Sequence, residues 1–262
     1  MVRGIADCTQ PSMTATAIPD PQKPPRWATT LQRFNQHLLF DLGGGWRPLR
    51  LATVINIQKG GTFPVMALLM LVYADKTPAA TSTAAWLYLA LHGSYGLVWL
   101  LKDLTFPDPN WQGRATWLSC ITGVFGLAAY WLAGWLVISG TASQNYPLGQ
   151  SAWLALCTAL CVLGCVVMMA ADVQKYVTLQ LRRGLITTGM FRWVRHPNYL
   201  GEMMIYGGLA LLAWHPLAAA VLAYYWLGMF SVNMTMKEAS MSRYPDWAAY
   251  KRRSWWLLPF VL

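Results

Sequence analysis

Long hydrophobic runs dominate the pattern of this chain. Nearly uninterrupted apolar stretches occupy residues 51–74, 82–102, 116–140 and 151–172. A helix needs about 20 apolar residues to cross a bilayer core, so each stretch predicts a membrane span. A shorter pair, 199–214 and 216–233, flanks His215-Pro216. The proline and the brevity of that junction predict a tight helical hairpin. Ahead of the spans, Trp27, Leu31, Phe34, Leu38 and Leu39 recur at helical spacing. Residues 27–42 therefore predict an amphipathic helix at the membrane surface. The pattern is that of an all-α, polytopic integral membrane helical bundle of about six to seven transmembrane helices. No fixed-period repeat or heptad pattern runs through it.

Composition supports this class. The chain is 56% hydrophobic and 11% charged, whereas a soluble domain carries roughly a quarter charged residues. Residues 1–50 read as a tail followed by the amphipathic helix. Residues 1–30 are polar and proline-rich, lack the apolar core of a signal peptide, and are expected to be disordered or loosely packed. The net charge of +10 suggests nucleic acid at first sight. Its placement changes that. All but Lys59 and Lys76 of the 20 lysines and arginines fall before residue 51, in 102–115, in 173–198 or after 233. Six spans put those segments on one side, and the positive-inside rule makes that side, with both termini, cytoplasmic. The charge is then a topology signal and an attraction to anionic membrane lipids. Nucleic acid is not an expected partner.

The five cysteines, Cys8, Cys120, Cys157, Cys161 and Cys165, show no zinc or redox spacing. Four lie in apolar runs and read as small core hydrophobes. His196 has no second His or Cys near it in sequence, so no metal site is expected. No strand-borne G-x-G-x-x-G and no Walker A motif occurs, which excludes Rossmann and P-loop nucleotide sites.

The densest chemistry is Arg195-His196-Pro197-Asn198-Tyr199-Leu200-Gly201-Glu202, set at the mouth of an apolar segment. The proline pushes His196 to an extended conformation and suits the first position of a helix. Asn198, Tyr199 and Glu202 then occupy that helix's first turns, whose positive end favours a bound anion. Asp172, Lys175 and Arg195 on one side and Lys237, Glu238, Tyr244, Tyr250 and Lys251 on the other give a basic lining suited to phosphates. Within the first span stand Asn56, Gln58 and Lys59, followed by Gly60, Gly61 and Pro64. An unpaired intramembrane lysine costs on the order of 3 kcal/mol and needs a partner or a cavity. The glycines and proline predict a locally irregular helix there. His92 and Tyr95, three apart, share a helix face. Either suits the role of an acid toward a substrate carbonyl; the other reading is that both bridge helices.

The run GMFRWVRHPNYLGEMMIYGGLALLAW, with KEASMSRYPDWAAYKRRSWWLLPF after it, resembles the C-terminal domain shared by steroid 5α-reductases, sterol C14-reductases and isoprenylcysteine carboxyl methyltransferases. The resemblance covers residues 170–262. Lys237-Glu238 in place of a Glu-Glu pair, the RYPDWAAYKRRS ending and four earlier spans favour the reductase branch, the bacterial relatives of the 3-oxo-5α-steroid 4-dehydrogenases in particular. It implies one transmembrane domain over 51–262, with spans in 51–172 lining a substrate pocket and 173–262 binding NADPH. Asp172, Lys175, Arg195, His196, Asn198, Tyr199, Glu202, Tyr244 and Tyr250 fall at or near the cofactor positions. The family's early Gln-Glu pair, which binds the 3-oxo group, is Gln58-Lys59 here, and its tyrosine aligns with His92 or Tyr95. The implied activity is NADPH-dependent reduction of an enone lipid by a monomer in a bacterial inner membrane, with the cofactor site facing the cytoplasm. S-adenosylmethionine-dependent methyl transfer is the enzymatic alternative, and a non-enzymatic sterol- or lipid-binding protein the third.

Overall fold

The computed structural model describes residues 21–261. Most of the tail expected over residues 1–30, Cys8 included, lies outside the described residues. The rest is an all-α membrane bundle: α1 (Arg26–Gln36), α2 (Leu51–Tyr73), α3 (Thr83–Thr105), α4 (Trp117–Ala128), α5 (Leu132–Ile138), α6 (Gln150–Leu181), α7 (Pro197–Ala213), α8 (Pro216–Tyr225), α9 (Ser231–Met241) and α10 (Trp247–Arg253). A 3₁₀ turn joins α4 to α5 and a π turn joins α8 to α9. Each pair thus makes one long segment, and 5 segments are long and apolar enough to cross a membrane. The chain is an integral membrane protein. α7 is shorter, at 17 residues, about 25 Å at 1.5 Å per residue.

Many large apolar side chains point outward. Leu71 is 74%, Leu163 55% and Val166 60% exposed. In lipid such faces cost nothing, and what distinguishes the interior is small residues and polar groups. The tightest helix pairing, α6 against α7, shows this. A methyl group on Gly201 would lie 2.5 Å from the Met168 amide nitrogen, and one on Gly164 2.6 Å from the Gly201 carbonyl. One on Gly208 would lie 2.7 Å from Cys161 Sγ. Cys157 and Cys161 are buried on this face of α6 as small apolar residues.

The same close approach joins α2 to α3, where a Cβ on Gly96 would collide with the Lys59 carbonyl oxygen. α2 departs from expectation. It is one continuous helix with Pro64 inside it. Gly60 and Gly61 serve packing instead of bending, lying against Leu100 and Trp131.

The hairpin at His215-Pro216 forms as expected. Trp214 closes α7 in the left-handed conformation (φ 42°), and Pro216 opens α8 with the Leu217 amide donating to His215 Nδ1 at 3.2 Å. At that end Trp153 Nε1 and Tyr146 Oη donate to the carbonyls of Leu211 and Leu212. The basic segments gather at the opposite end. There Leu49–Arg50 pairs antiparallel with Arg114–Ala115, and Val194 pairs with Trp255. The expected surface helix is α1, continued by a π turn over His37–Asp41. Its Asn35 donates to the Gly228 carbonyl at 2.9 Å, which docks it beside α9, while Trp27 and Phe34 remain exposed.

Candidate active site at the basic end of the bundle

The segment between α6 and α7 is held by a buried ionic knot. Arg195 Nε donates to Glu238 Oε1 at 2.5 Å, and its Nη1 donates to the carbonyls of Ser254 and, at 3.3 Å, Lys251. Glu238 also faces His196 Nε2 at 3.6 Å and Lys251 Nζ at 3.5 Å. Burial pushes the His196 imidazole below its ordinary range, and His196 stands as the residue just before the helix, with Pro197 opening α7. Tyr250 Oη donates to the Phe191 carbonyl at 2.6 Å, and its burial pushes the phenol up to about 12. Arg195 and Tyr250 are therefore spent on joining α7, α9 and α10, whereas His196 Nε2 is buried without a hydrogen-bond partner. Tyr244 lies at the rim, half-buried, its Oη accepting from Arg243 at 3.2 Å.

Beside this knot opens a charged mouth. Asp172 and Lys175 sit on α6, which runs nine residues past the expected end of its span, so they lie on a rigid helix wall. Asp172 pairs with Lys102 of α3, and Lys175 Nζ lies 3.5 Å from Asp108 Oδ2. Burial raises the Asp108 carboxyl, but Lys175, the Asn110 amide, Lys237 and Lys102 outweigh it and hold it below its ordinary value. Lys102, Asp108, Asp172 and Lys175 with Phe106, Tyr176 and Gln180 line a cleft of about 110 Å³. Lys237 reaches over the Tyr199 ring, 4.5 Å from its centre, and has no carboxylate within 4.0 Å among the described residues. Glu202 lies within electrostatic reach of Lys102, Lys59, Asp172 and Lys237. Asn198 is half-buried on the first turn of α7.

Deeper in, α2, α3 and α7 converge on Lys59. Its side chain is buried, donates to Tyr206 Oη, and lies 4.6 Å from the Tyr95 ring centre, 4.9 Å from Trp99, 4.8 Å from Tyr206 and 5.8 Å from Tyr130. The Tyr206 ring meets the Tyr95 ring edge-on, centres 5.6 Å apart. The Tyr95 hydroxyl ends on Met168 Sδ at 3.9 Å, a weak acceptor. Lys59, Tyr206 and Tyr95 thus lie side by side, and the Tyr95 proton is held loosely.

His92 is tied differently. Tyr88 Oη donates to the Tyr130 carbonyl at 3.1 Å and faces His92 Nδ1 at 3.0 Å. With the Tyr88 proton engaged, His92 Nδ1 carries hydrogen and donates to Tyr88, which leaves Nε2 a bare acceptor. It is buried without a partner, as are both polar atoms of the Gln58 amide. A neutral His92 of this tautomer does not donate to a carbonyl from Nε2. Of the two acid candidates on α3, Tyr95 retains that capacity.

The structure brings Gln58, Lys59, His92 and Tyr95 into one buried region and Asp172, Lys175, Tyr199 and Glu202 toward one mouth. Sequence reasoning missed Tyr206, Tyr130, Trp99, Lys102 and Asp108. Tyr206 was open to recognition: Glu202 and Tyr206 are four apart and share one helix face. The α4–α5 residue Tyr130 carries no such signal.

A family model described as Protein of unknown function (DUF1295) matches residues 107–254, more than half of the chain. The protein belongs to that family. Two proteins of Schizosaccharomyces pombe are similar over shorter stretches. Uncharacterized protein C594.04c is 36% identical over 90 residues, 29% of this chain and 24% of its own length. Uncharacterized protein C7D4.09c is 32% identical over 81 residues, 29% of this chain and 27% of its own length. The matched region spans about a quarter of each of these relatives.

Proposed function

We propose that the protein is an NADPH-dependent reductase of the C=C bond of an enone lipid, a 3-oxo-Δ4 steroid or related sterol-like molecule, working as a monomer with its cofactor mouth toward the cytoplasm of a bacterial inner membrane. One observation carries this reading. Lys59, Tyr206 and Tyr95 lie side by side in the bundle interior, a hydroxyl relay that begins on Lys59 and ends on the loosely held Tyr95 proton, and Trp99 separates Lys59 from Lys102 at the charged cleft. The resemblance of residues 170–262 to sterol and steroid reductases supports it.

The mouth suits a dinucleotide's charges. Lys175 lines the cleft and Lys237 lies over Tyr199 on the first turn of α7, and cations together with a helix N-terminus favour phosphate. Asn198, Tyr199 and Glu202 lie on that turn, while Arg195, His196 and Tyr250 shape it from behind. NADPH supplies hydride to the substrate β-carbon. The Tyr95 hydroxyl donates to the carbonyl oxygen as negative charge grows there, which stabilises the transition state. Gln58 Nε2, buried without a hydrogen-bond partner, is a further donor left free.

Thermal shifts in detergent test the cofactor: stabilisation by NADPH and none by S-adenosylmethionine is expected, and the reverse moves the protein to the methyltransferases. Tyr95→Phe and Tyr206→Phe should each lower enone-dependent NADPH oxidation roughly 100-fold, in the range of general-acid contributions, with the NADPH shift retained. Undiminished turnover in both removes the relay from the reaction.

A further inference from the structure

Lys59 does more than its place at the head of the relay requires. Its amine is buried among four aromatic rings, and no carboxylate lies within 4.0 Å of it among the described residues. No ion pair therefore fixes it as an ammonium. An amine set in an apolar pocket is the arrangement that makes lysine a nucleophile toward carbonyls. The same rings stabilise a cation that forms in their midst, by roughly 2 kcal/mol or more when water is excluded.

A crevice between α4–α5 and α7–α8 is lined by Ala129, Ala133, Ala210 and Ala218 together with Tyr130 and Tyr206. Tyr206 is the residue that holds Lys59. The crevice is narrow, about 10 Å³, so a lipid carbonyl reaches Tyr206 from this side only as the surrounding side chains give way.

We propose that Lys59 forms a Schiff base with the carbonyl carbon of its lipid enone. This deepens the reductase reading by putting an iminium in place of the hydrogen-bonded carbonyl as the group that accepts the β-carbon's electrons, and it rests on that reading for the identity of the substrate. The Nζ lone pair forms the C–N bond while the carbonyl oxygen takes a proton from the Tyr206–Tyr95 relay. The nitrogen, positively charged after the attack, returns one of its protons to the relay and so regains its lone pair; a second proton, taken from solvent, lets the oxygen leave as water, and the lone pair completes a C=N⁺ bond. The cationic iminium draws electrons from the β-carbon more strongly than the neutral ketone does. Hydride from NADPH at the β-carbon then yields a neutral enamine on Lys59. Protonation at the α-carbon regenerates an iminium, and water hydrolyses it to the saturated ketone and free lysine. Overall one hydride and one proton are added to the enone, and water is neither gained nor lost.

The test uses full-length protein in detergent with 4-cholesten-3-one, no cofactor, and sodium borohydride added after equilibration. Reduction of the C=N bond should leave a stable sterol-sized mass increment on the peptide containing Lys59, absent from Lys59→Arg. Because that variant can fail to fold, the wild type is also incubated with the enone in H₂¹⁸O. Repeated imine formation and hydrolysis should exchange the carbonyl oxygen at least 10-fold faster than in buffer. An adduct at Lys59 together with faster exchange supports the Schiff base. No adduct at Lys59 and exchange at the buffer rate overturns it, whether or not NADPH is oxidised. Adduct and exchange without enone-dependent NADPH oxidation keep the Schiff base and remove the reductase reading.

Discussion

Arg195→Ala is expected to cost about 3–5 kcal/mol and to free the C-terminal segment from the bundle, because removing one partner of a buried pair leaves the other charge uncompensated. The Arg195 and Glu238 side chains are only 7% and 14% exposed. The loss reaches further than the pair. The Arg195 side chain also satisfies the Ser254 and Lys251 carbonyls. Hydrogen exchange should show residues 247–257 losing protection while α2 and α3 keep theirs, and the thermal shift by NADPH should vanish. Arg195→Lys keeps the charge but loses the planar fork, and should fall between. The double variant Arg195→Met, Glu238→Met removes both charges and should recover part of the stability. Unchanged protection of 247–257 in Arg195→Ala would show that the apolar cluster of Tyr199, Phe230, Met234 and Leu257 anchors the tail by itself.

Gly201→Val is the second large effect. The valine Cβ would sit 2.5 Å from the Met168 amide nitrogen and 2.6 Å from the Gly164 carbonyl. Both neighbours are backbone atoms of α6 and cannot rotate away as a side chain would. Overpacking usually costs 1–3 kcal/mol, and a clash between two helix backbones belongs at or above the upper end. The helices must separate, which moves Tyr199, Glu202 and Tyr206 away from Asp172 and Lys59 together. Monodisperse protein in detergent should largely disappear. Gly207→Ala, on the same helix, is the control. Its nearest neighbour would be Trp226 at 3.8 Å, so alanine fits and its better helix propensity should leave stability unchanged or higher by up to about 1 kcal/mol. Equal yields of the two variants would mean that the α6–α7 contact is looser than its geometry implies.

Much of the fold was legible because a membrane span writes itself as an apolar run of set length. Pro197, His215 and Pro216 mark helix starts through local stereochemistry that no tertiary contact alters. The irregular helix expected at Gly60, Gly61 and Pro64 was misjudged for a related reason. Glycine in a helix signals either a bend or a close neighbour, and only the position of Leu100 and Trp131 decides between them. α6 passes residue 172 because a lysine such as Lys175 stays helical when the helix leaves the lipid, while Arg182 and Arg183 do lie beyond its end.

The site divides along the same line. RHPNYLGE and the cations around it are close in sequence, so their charge and helix-start placement were readable without a structure. Their division of labour was not, since Arg195 is taken up by Glu238, Ser254 and Lys251 and so acts as a strut, leaving Lys175 to line the cleft and Lys237 to reach over Tyr199. The sequence by itself determined the membrane class, the order of helices, the basic end and the presence of a lysine where lipid disfavours one. Only the tertiary structure decided what surrounds that lysine. Tyr95, Trp99, Tyr130 and Tyr206 come from three separate parts of the chain, and whether a buried amine meets a carboxylate or an aromatic cage depends on how helices pack across the bundle, which no local pattern encodes.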